Sequence, residues 1–184
     1  VAELGDDAGA PRNLRYLADL QDAEGRSIAW LPGADWSALP WQPLCGQGAQ
    51  RVVAPYPASL LKLMVLVGVA RLVDAGRCSW GEALDFEDQL RTVRDWAFDM
   101  TVISCNRSTS ALVALLHRRG AILREGRVEL YNELHDTFSA YGLPGLRLAN
   151  TRPDGGWGNA AGAGVGQLQM TAWDTLRLLW LLDR

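Results

Sequence analysis

Residues 60–73 read LLKLMVLVGVARLV, with Lys62 and Arg71 the only charged positions and no polar stripe on any helical face. A helix that is apolar on nearly every side has to be covered by other elements. The run therefore demands a fold that packs around one central helix. A membrane span needs about 20 apolar residues, and this run is shorter and carries charges at both ends, so a buried helix is expected instead of a transmembrane segment. The helix is expected from Ser59 to Asp74, with Gly76 of "DAG" closing it in a left-handed cap.

Around that helix the chain reads as two strands followed by helices. Residues 1–10 are small and acidic and are expected to fray. Tyr16, Ala18 and Leu20 alternate before the break at "DAEG", and Ile28 and Trp30 alternate after it, which is the period of a strand pair. Residues 31–58, rich in Pro and Gly, read as a loop crossing to the central helix. A second helix is expected near Trp80 or Gly81, a third through "EDQLRTVRDWAFDM", and a fourth over "STSALVALLHRRG", capped by Ser108 or Thr109 and closed by Gly120. "VELYNELHDTFSAYGL" reads as one amphipathic helix, residues 143–170 as a long loop, and "AWDTLRLLWLLDR" as a final helix with Thr171 and Asp174 in a capping box. Two strands are too few for a stable sheet, so the sheet is expected to need further strands.

Composition removes several functions. Hydrophobic residues make up 48%, enough for a packed globule. A net charge of −3 argues against nucleic acid as a partner. Cys45, Cys78 and Cys105 have no metal spacing, no H-E-x-x-H occurs, and the "GGWGNAAGAGVGQ" stretch lacks the G-K-[ST] of a phosphate loop, so no cofactor or metal is expected. That stretch reads as glycine-rich cover over a cleft. His117, at a helix end where a cation suits the dipole, and His135, on an amphipathic helix, read as structural residues.

Lys62 is the sole lysine in a chain with 17 arginines. On a helix it shares a face with Ser59, three residues before it. Ser59 lies at the helix start, where free N–H groups favour developing negative charge. A lysine desolvated in an apolar helix loses its proton more readily and becomes a base near neutral pH. Arginine cannot, because its pKa stays above about 12. Read alone, the pair is also compatible with an N-cap serine and a surface lysine. Some forty residues on, Ser104 and Asn106 of "SCN" stand between two helical stretches.

The order S-x-x-K, then S-x-N before an apolar helix, resembles the serine β-lactamases and penicillin-binding proteins, whose motifs are S-x-x-K, S-D-N and K-T-G. "PASLLKLMVLVGVARLVDAG" resembles the nucleophile helix of that family and "LRTVRDWAFDMTVISCNRSTSALVALL" its second-motif segment. "LADLQDAEGRSIAW" is similar to its first strand pair, and "GVGQLQMTAWDTLRLLWLL" to the helix after its Ω loop. The resemblance implies an α+β fold of the β-lactamase/transpeptidase type, an antiparallel sheet flanked by helices plus an all-helical lobe. Residues 1–184 would form one incomplete domain, with the N-terminal strands and crossing loop over 11–58 and the helical lobe over 59–184.

The resemblance also implies the chemistry. Ser59 would be the nucleophile that takes the acyl group of a β-lactam or acyl-peptide amide, and its backbone N–H would form half of the oxyanion hole. Lys62 would take its proton, Ser104 would pass a proton to the leaving nitrogen, and Asn106 would orient Lys62 and the substrate amide. Family members act in the periplasm or outside the cell. Two departures stand out. "RLANTRPDGGWGNAAGAGVG", matching the Ω loop, has Asp154 as its only carboxylate where class A β-lactamases place a deacylating glutamate. This turns the expectation toward a D,D-peptidase, an esterase, a transacylase or a non-hydrolytic β-lactam sensor. No K-[ST]-G triad occurs, so that strand is expected from a C-terminal segment of the same protein or from a second chain.

Overall fold

The computed structural model describes residues 15–16, 35–38, 42–43, 58–157 and 168–183. Among them the chain is α+β, with five α-helices and four two-stranded antiparallel sheets. It divides into two units, Val1–Gln50 with Leu176–Arg184, and Arg51–Thr175.

In the first unit β1 (Arg15–Tyr16) pairs antiparallel with β2 (Gln42–Pro43), Tyr16 opposite Gln42. Tyr16 is thus in a strand as its alternation suggests, but the partner comes from the stretch read as loop. Ala18, Leu20, Ile28 and Trp30 lie outside the described residues, as do residues 1–10.

The second unit is built on α1 (Leu61–Asp74) and α3 (Asn106–Arg118). Met64, Val65, Val69 and Leu72 of α1 are fully buried. Gly68 shows why the run tolerates a helix-weakening residue: a Cβ there would stand 3.0 Å from Leu116 and 3.2 Å from Leu134. The missing side chain lets α1 approach α3 closely. At the end of α1, Gly76 takes φ +66° and Arg77 N donates to Leu72 O at 2.8 Å, the left-handed stop that "DAG" suggested. Every residue from Ala111 to His117 of α3 is buried, and Gly120 at φ +70° ends it.

Three helix expectations need correction. No helix begins at Trp80 or Gly81. The segment instead forms β3 (Ala83–Phe86), paired with β4 (Gln89–Thr92), and only then α2 (Val93–Val102). The segment 128–143 likewise opens as β6 (Val128–Asn132), paired with β5 (Ile122–Glu125), before α4 (Glu133–Ala140). The lobe expected to be all-helical therefore carries two hairpins. The reasons are local. Glu87 and Asp88 take φ +47° and +60°, the two left-handed positions of a tight hairpin turn. Thr92 and Asn132 then cap the helices that follow, so the helical period begins later than the hydrophobic pattern suggests. The first hairpin is anchored by Trp96, whose Nε1 donates to Leu84 O at 3.0 Å and whose ring meets Phe86 edge-on at 6.3 Å.

The third correction concerns α3. Its N-cap is Cys105, in extended conformation, and Ser108 and Thr109 are buried in the first turn, where Thr109 Oγ1 donates to Cys105 O at 3.0 Å. The helix starts earlier because Ser104, at φ +57°, has already turned the chain.

Residues 143–170, read as loop, contain β7 (Arg147–Leu148) paired with β8 (Leu168–Gln169). They lead to α5 (Ala172–Asp183), whose start has the capping geometry its sequence suggests: Asp174 N donates to Thr171 Oγ1 at 3.0 Å, and Thr171 Oγ1 donates to Asp174 Oδ2 at 3.0 Å. Among the described residues no helix is long and apolar enough to cross a membrane.

Candidate active site

The packing of α1 on α3 brings the segment before each helix to the same place. Ser59 lies in a 3₁₀ turn, Ala58–Leu60, leading into α1. Ser104 lies between α2 and α3. Ala58 takes φ +48° and Ser104 φ +57°, both left-handed without being glycine. Each such residue costs about 1–3 kcal/mol and persists only where its surroundings hold it. Here both flank one cluster of polar side chains.

Lys62, the second residue of α1, is the centre of the cluster. It is only 5% exposed, whereas Ser59, Ser104 and Asn106 are open to solvent. Its Nζ lies 2.7 Å from Ser104 O, 2.8 Å from Ser104 Oγ, 3.0 Å from Asn106 Oδ1 and 3.1 Å from Ser59 Oγ. Ser104 Oγ in turn donates to Ser59 Oγ at 2.9 Å. All four residues singled out in the sequence therefore meet, although Ser104 and Asn106 are 42 and 44 positions from Lys62.

The hydrogen count around Nζ indicates what the site can do. Ser104 O and Asn106 Oδ1 can only accept, and hydroxyls can donate as well as accept. A neutral amine has two N–H groups and one lone pair. In the neutral amine the two pure acceptors would take both N–H groups and leave the lone pair for the hydroxyls. Burial pushes the Lys62 pKa below the ordinary lysine value, and the neighbouring Cys105 works the other way. The geometry thus puts Nζ within reach of the hydroxyls of two solvent-exposed serines, Ser59 and Ser104.

Two cavities meet at Ser59. One, of about 520 Å³, is walled by Leu60, Leu63, Met100 and Thr101 on the Ser104 side. The other, of about 410 Å³, is walled by Asn106, Thr109, Ser110 and Trp157. Ala58, Ser59 and Lys62 line both.

Trp157 is the wall residue that sequence reasoning missed. It arrives through a tight loop in which Thr151 bridges to Trp157 and Arg152 N donates to Gly156 O at 2.9 Å. Gly155, at φ +82°, presses against the Ser110 carbonyl of α3, where any Cβ would collide. The only signal was a tryptophan set among glycines in "GGWG". Of the stretch read as glycine-rich cover over a cleft, residues 155–157 belong to this loop, with Trp157 on a cavity wall, and 158–167 lie outside the described residues.

His117 secures the same loop, with Nε2 2.9 Å from Thr151 Oγ1. Burial pushes its pKa below the ordinary histidine value, so it is a neutral packing residue and not the helix-end cation expected from its position. His135 is half-buried, and its Nε2 lies 3.0 Å from Leu148 O. Asp154, the only carboxylate of the stretch 147–166, is exposed. It pairs with Arg152 at 2.9 Å and accepts from Gly156 N at 2.8 Å, and it lines neither cavity. Cys105 has its pKa lowered, chiefly by the Ser108 hydroxyl beside it. Among the described residues no group of three His, Cys, Asp or Glu side chains could hold a metal ion.

Compared with protein families, with curated proteins and with solved structures, the chain has no match.

Proposed function

We propose that this protein is a serine acyl-enzyme hydrolase of the β-lactamase and penicillin-binding type, with the corresponding β-lactamase/transpeptidase-like fold. The observation that carries the reading is the closed set of contacts among Ser59 Oγ, Lys62 Nζ, Ser104 Oγ and Asn106 Oδ1. A serine hydroxyl is a weak nucleophile until a base stands beside it. Lys62 is that base: its lone pair takes the Ser59 proton as Oγ attacks a strained or activated carbonyl. Ser104 Oγ touches both atoms and relays the proton to the leaving group. Asn106 holds Lys62 and presents its amide N–H groups to the acyl side. The oxyanion is met by the backbone N–H of Ser59, since first-turn amides lack an intrahelical partner. The substrates of this reading are β-lactams or acyl-peptide amides.

One observation favours a second reading, in which the protein acylates and then releases its acyl group slowly, as a sensor or transacylase would. Among the described residues, neither cavity is lined by a carboxylate to activate water.

Intact mass and peptide mapping after exposure to a fluorophosphonate and to benzylpenicillin test the proposal. An adduct on Ser59, abolished by Ser59→Ala, is the expected result. No Ser59 adduct from either reagent, on protein that melts cooperatively, would overturn it. Steady colour from a chromogenic cephalosporin identifies a hydrolase, and a persistent penicillin adduct identifies the slow-release reading.

A further inference from the structure

Cys105 stands between the two residues that reach Lys62 from the segment before α3. Ser104 Oγ and Asn106 Oδ1, on either side of it in the chain, lie 2.8 and 3.0 Å from Nζ. Its side chain is half-buried at the N-cap of α3, with the N–H groups of Arg107 and Ser108 turned toward Sγ. Beside Sγ is Ser108 Oγ, fully buried and without a hydrogen-bond partner among the described residues. A buried hydroxyl left unpaired costs free energy. A neutral thiol is a weak acceptor and an ionised one a strong acceptor, so a Cys105 thiolate gives Ser108 the partner it lacks. The charged groups facing Sγ come from three other elements. Lys62 of α1 and Arg91 of β4 both gain from an anion there, and Asp99 of α2 opposes it. Arg91 and Asp99 also pair with each other at 2.6 Å.

Reactive cysteines are partly exposed thiolates at helix N-termini, and buried thiols are inert. Cys78 is the inert case, 8% exposed with its thiol pushed up by burial. We propose that Cys105 is a reversible modification site for small hydroperoxides, and that its oxidation draws Ser104 and Asn106 away from Lys62 and stops acylation of Ser59. The thiolate sulfur attacks one peroxide oxygen. The S–O bond forms, the O–O bond breaks, and the second oxygen leaves as hydroxide or alkoxide and takes a proton from water. Sulfur is oxidised by two electrons and the peroxide is reduced. A small-molecule thiol then displaces water from the sulfenic acid to give a mixed disulfide, and a second such thiol releases the Cys105 thiolate. Each modified form replaces the anion held by Ser108 and the first turn of α3 with a larger group. Ser104, at φ +57°, keeps its left-handed conformation only while its surroundings hold it. The effect on Ser59 rests on the reading of that residue as nucleophile, and the reactivity of Cys105 does not.

The test uses the intact chain, with peptide mapping to follow each cysteine separately. Iodoacetamide at pH 7 is expected to alkylate Cys105 at least about tenfold faster than Cys78, with a rate that rises through a midpoint below the 9.0 of an ordinary thiol. Ser108→Ala is expected to slow Cys105 about tenfold at pH 7. Hydrogen peroxide followed by dimedone should mark Cys105 and not Cys78. The same peroxide treatment should abolish fluorophosphonate labelling of Ser59 in wild type, dithiothreitol should restore it, and labelling of Cys105→Ser should be the same with and without peroxide. Alkylation of Cys105 no faster than of Cys78, a midpoint at or above 9.0, or an unchanged rate in Ser108→Ala overturns the site. The first two measurements need no variant, so they stand if Ser108→Ala fails to fold. Full labelling of Ser59 on protein whose Cys105 is mapped as oxidised overturns the coupling, and so does loss of labelling that persists in Cys105→Ser. Absence of the fluorophosphonate adduct before any peroxide overturns the Ser59 nucleophile instead, which keeps the two failures distinguishable.

Discussion

Two of the five helix starts differ from the other three. Helices α2, α4 and α5 begin with side chains that satisfy free backbone N–H groups. Thr92 accepts from Asp95 N at 3.1 Å, Asn132 from Leu134 N at 3.2 Å, and Thr171 from Asp174 N at 3.0 Å. Helices α1 and α3, which meet at the candidate site, have no side-chain cap hydrogen bond, and each follows a left-handed residue, Ala58 or Ser104. Cap-type residues are present there. Ser59, Ser104 and Asn106 direct their oxygens at Lys62 instead of at the helix N–H groups. The contrast separates helix starts closed by a side chain from starts whose polar side chains gather around Lys62. Where stability alone matters, the polar side chain closes the helix. At α1 and α3 the polar side chains turn to Lys62 instead.

The sharpest way to break this contrast is at Lys62. Lys62→Arg keeps a positive charge but removes the proton acceptor, and is expected to slow Ser59 acylation by about 10²–10⁴-fold, whereas Thr92→Ala leaves acylation unchanged. In wild type the acylation rate should rise with pH as Lys62 loses its proton, with an apparent pKa below the ordinary lysine value of 10.5. A pH-independent rate, or full activity in Lys62→Arg, would remove Lys62 from the mechanism.

Stability should respond in the opposite pattern. Thr92→Ala breaks a capping box and is expected to cost about 0.5–2 kcal/mol in urea unfolding. Ser59→Ala, which removes no cap, should stay within about 0.5 kcal/mol of wild type. If Ser59→Ala proves as destabilising as Thr92→Ala, the two classes of helix start are one.

Acid separates a structural network from the site. His117 and His135 both have pKa values pushed below 6.5 by burial. The unfolded chain then binds more protons between the folded value and 6.5, so their contribution is full above about pH 6.5 and declines as pH falls through that range. Urea midpoints between pH 8 and pH 5 should fall accordingly, and His117→Gln should flatten part of the slope. A midpoint independent of pH over that interval would contradict the buried, neutral imidazoles.

The smallest effect is at Ala58. A left-handed L-residue costs about 1–2 kcal/mol, and glycine's extra chain entropy offsets about 0.5–1 kcal/mol of the relief. Ala58→Gly should therefore stabilise by about 0.5 kcal/mol, and a thermal melt should show a small rise. A fall would mean that the turn before Ser59 carries no strain.

Much of the site was legible in the chain because part of it is local. Ser59 and Lys62 are three residues apart, one in the 3₁₀ turn and the other at the start of α1 that follows it, and this local geometry puts them together. Ser104 and Asn106 were reached through the order of short motifs, and Gly76, Gly120 and the Thr171–Asp174 cap through their immediate neighbours. The hairpins were not legible. "EDQLRTVRDWAF" and "VELYNELHDTF" each run a strand, a cap and a helix together without a glycine or proline between them. Only the left-handed pair Glu87–Asp88 and the caps at Thr92 and Asn132 separate the periods.

The sequence by itself determined that one helix must be buried and that it carries a serine and the single lysine on one face. Tertiary structure alone decided that Ser59 stays exposed beside the buried lysine and that Ser104 and Asn106 reach the same amine, because that depends on where the segment before α3 is placed. It also decided that the cavities beside Ser59 are unlike. Met100 and Trp157 come from segments far apart in the chain, and no local rule relates their positions to Ser59.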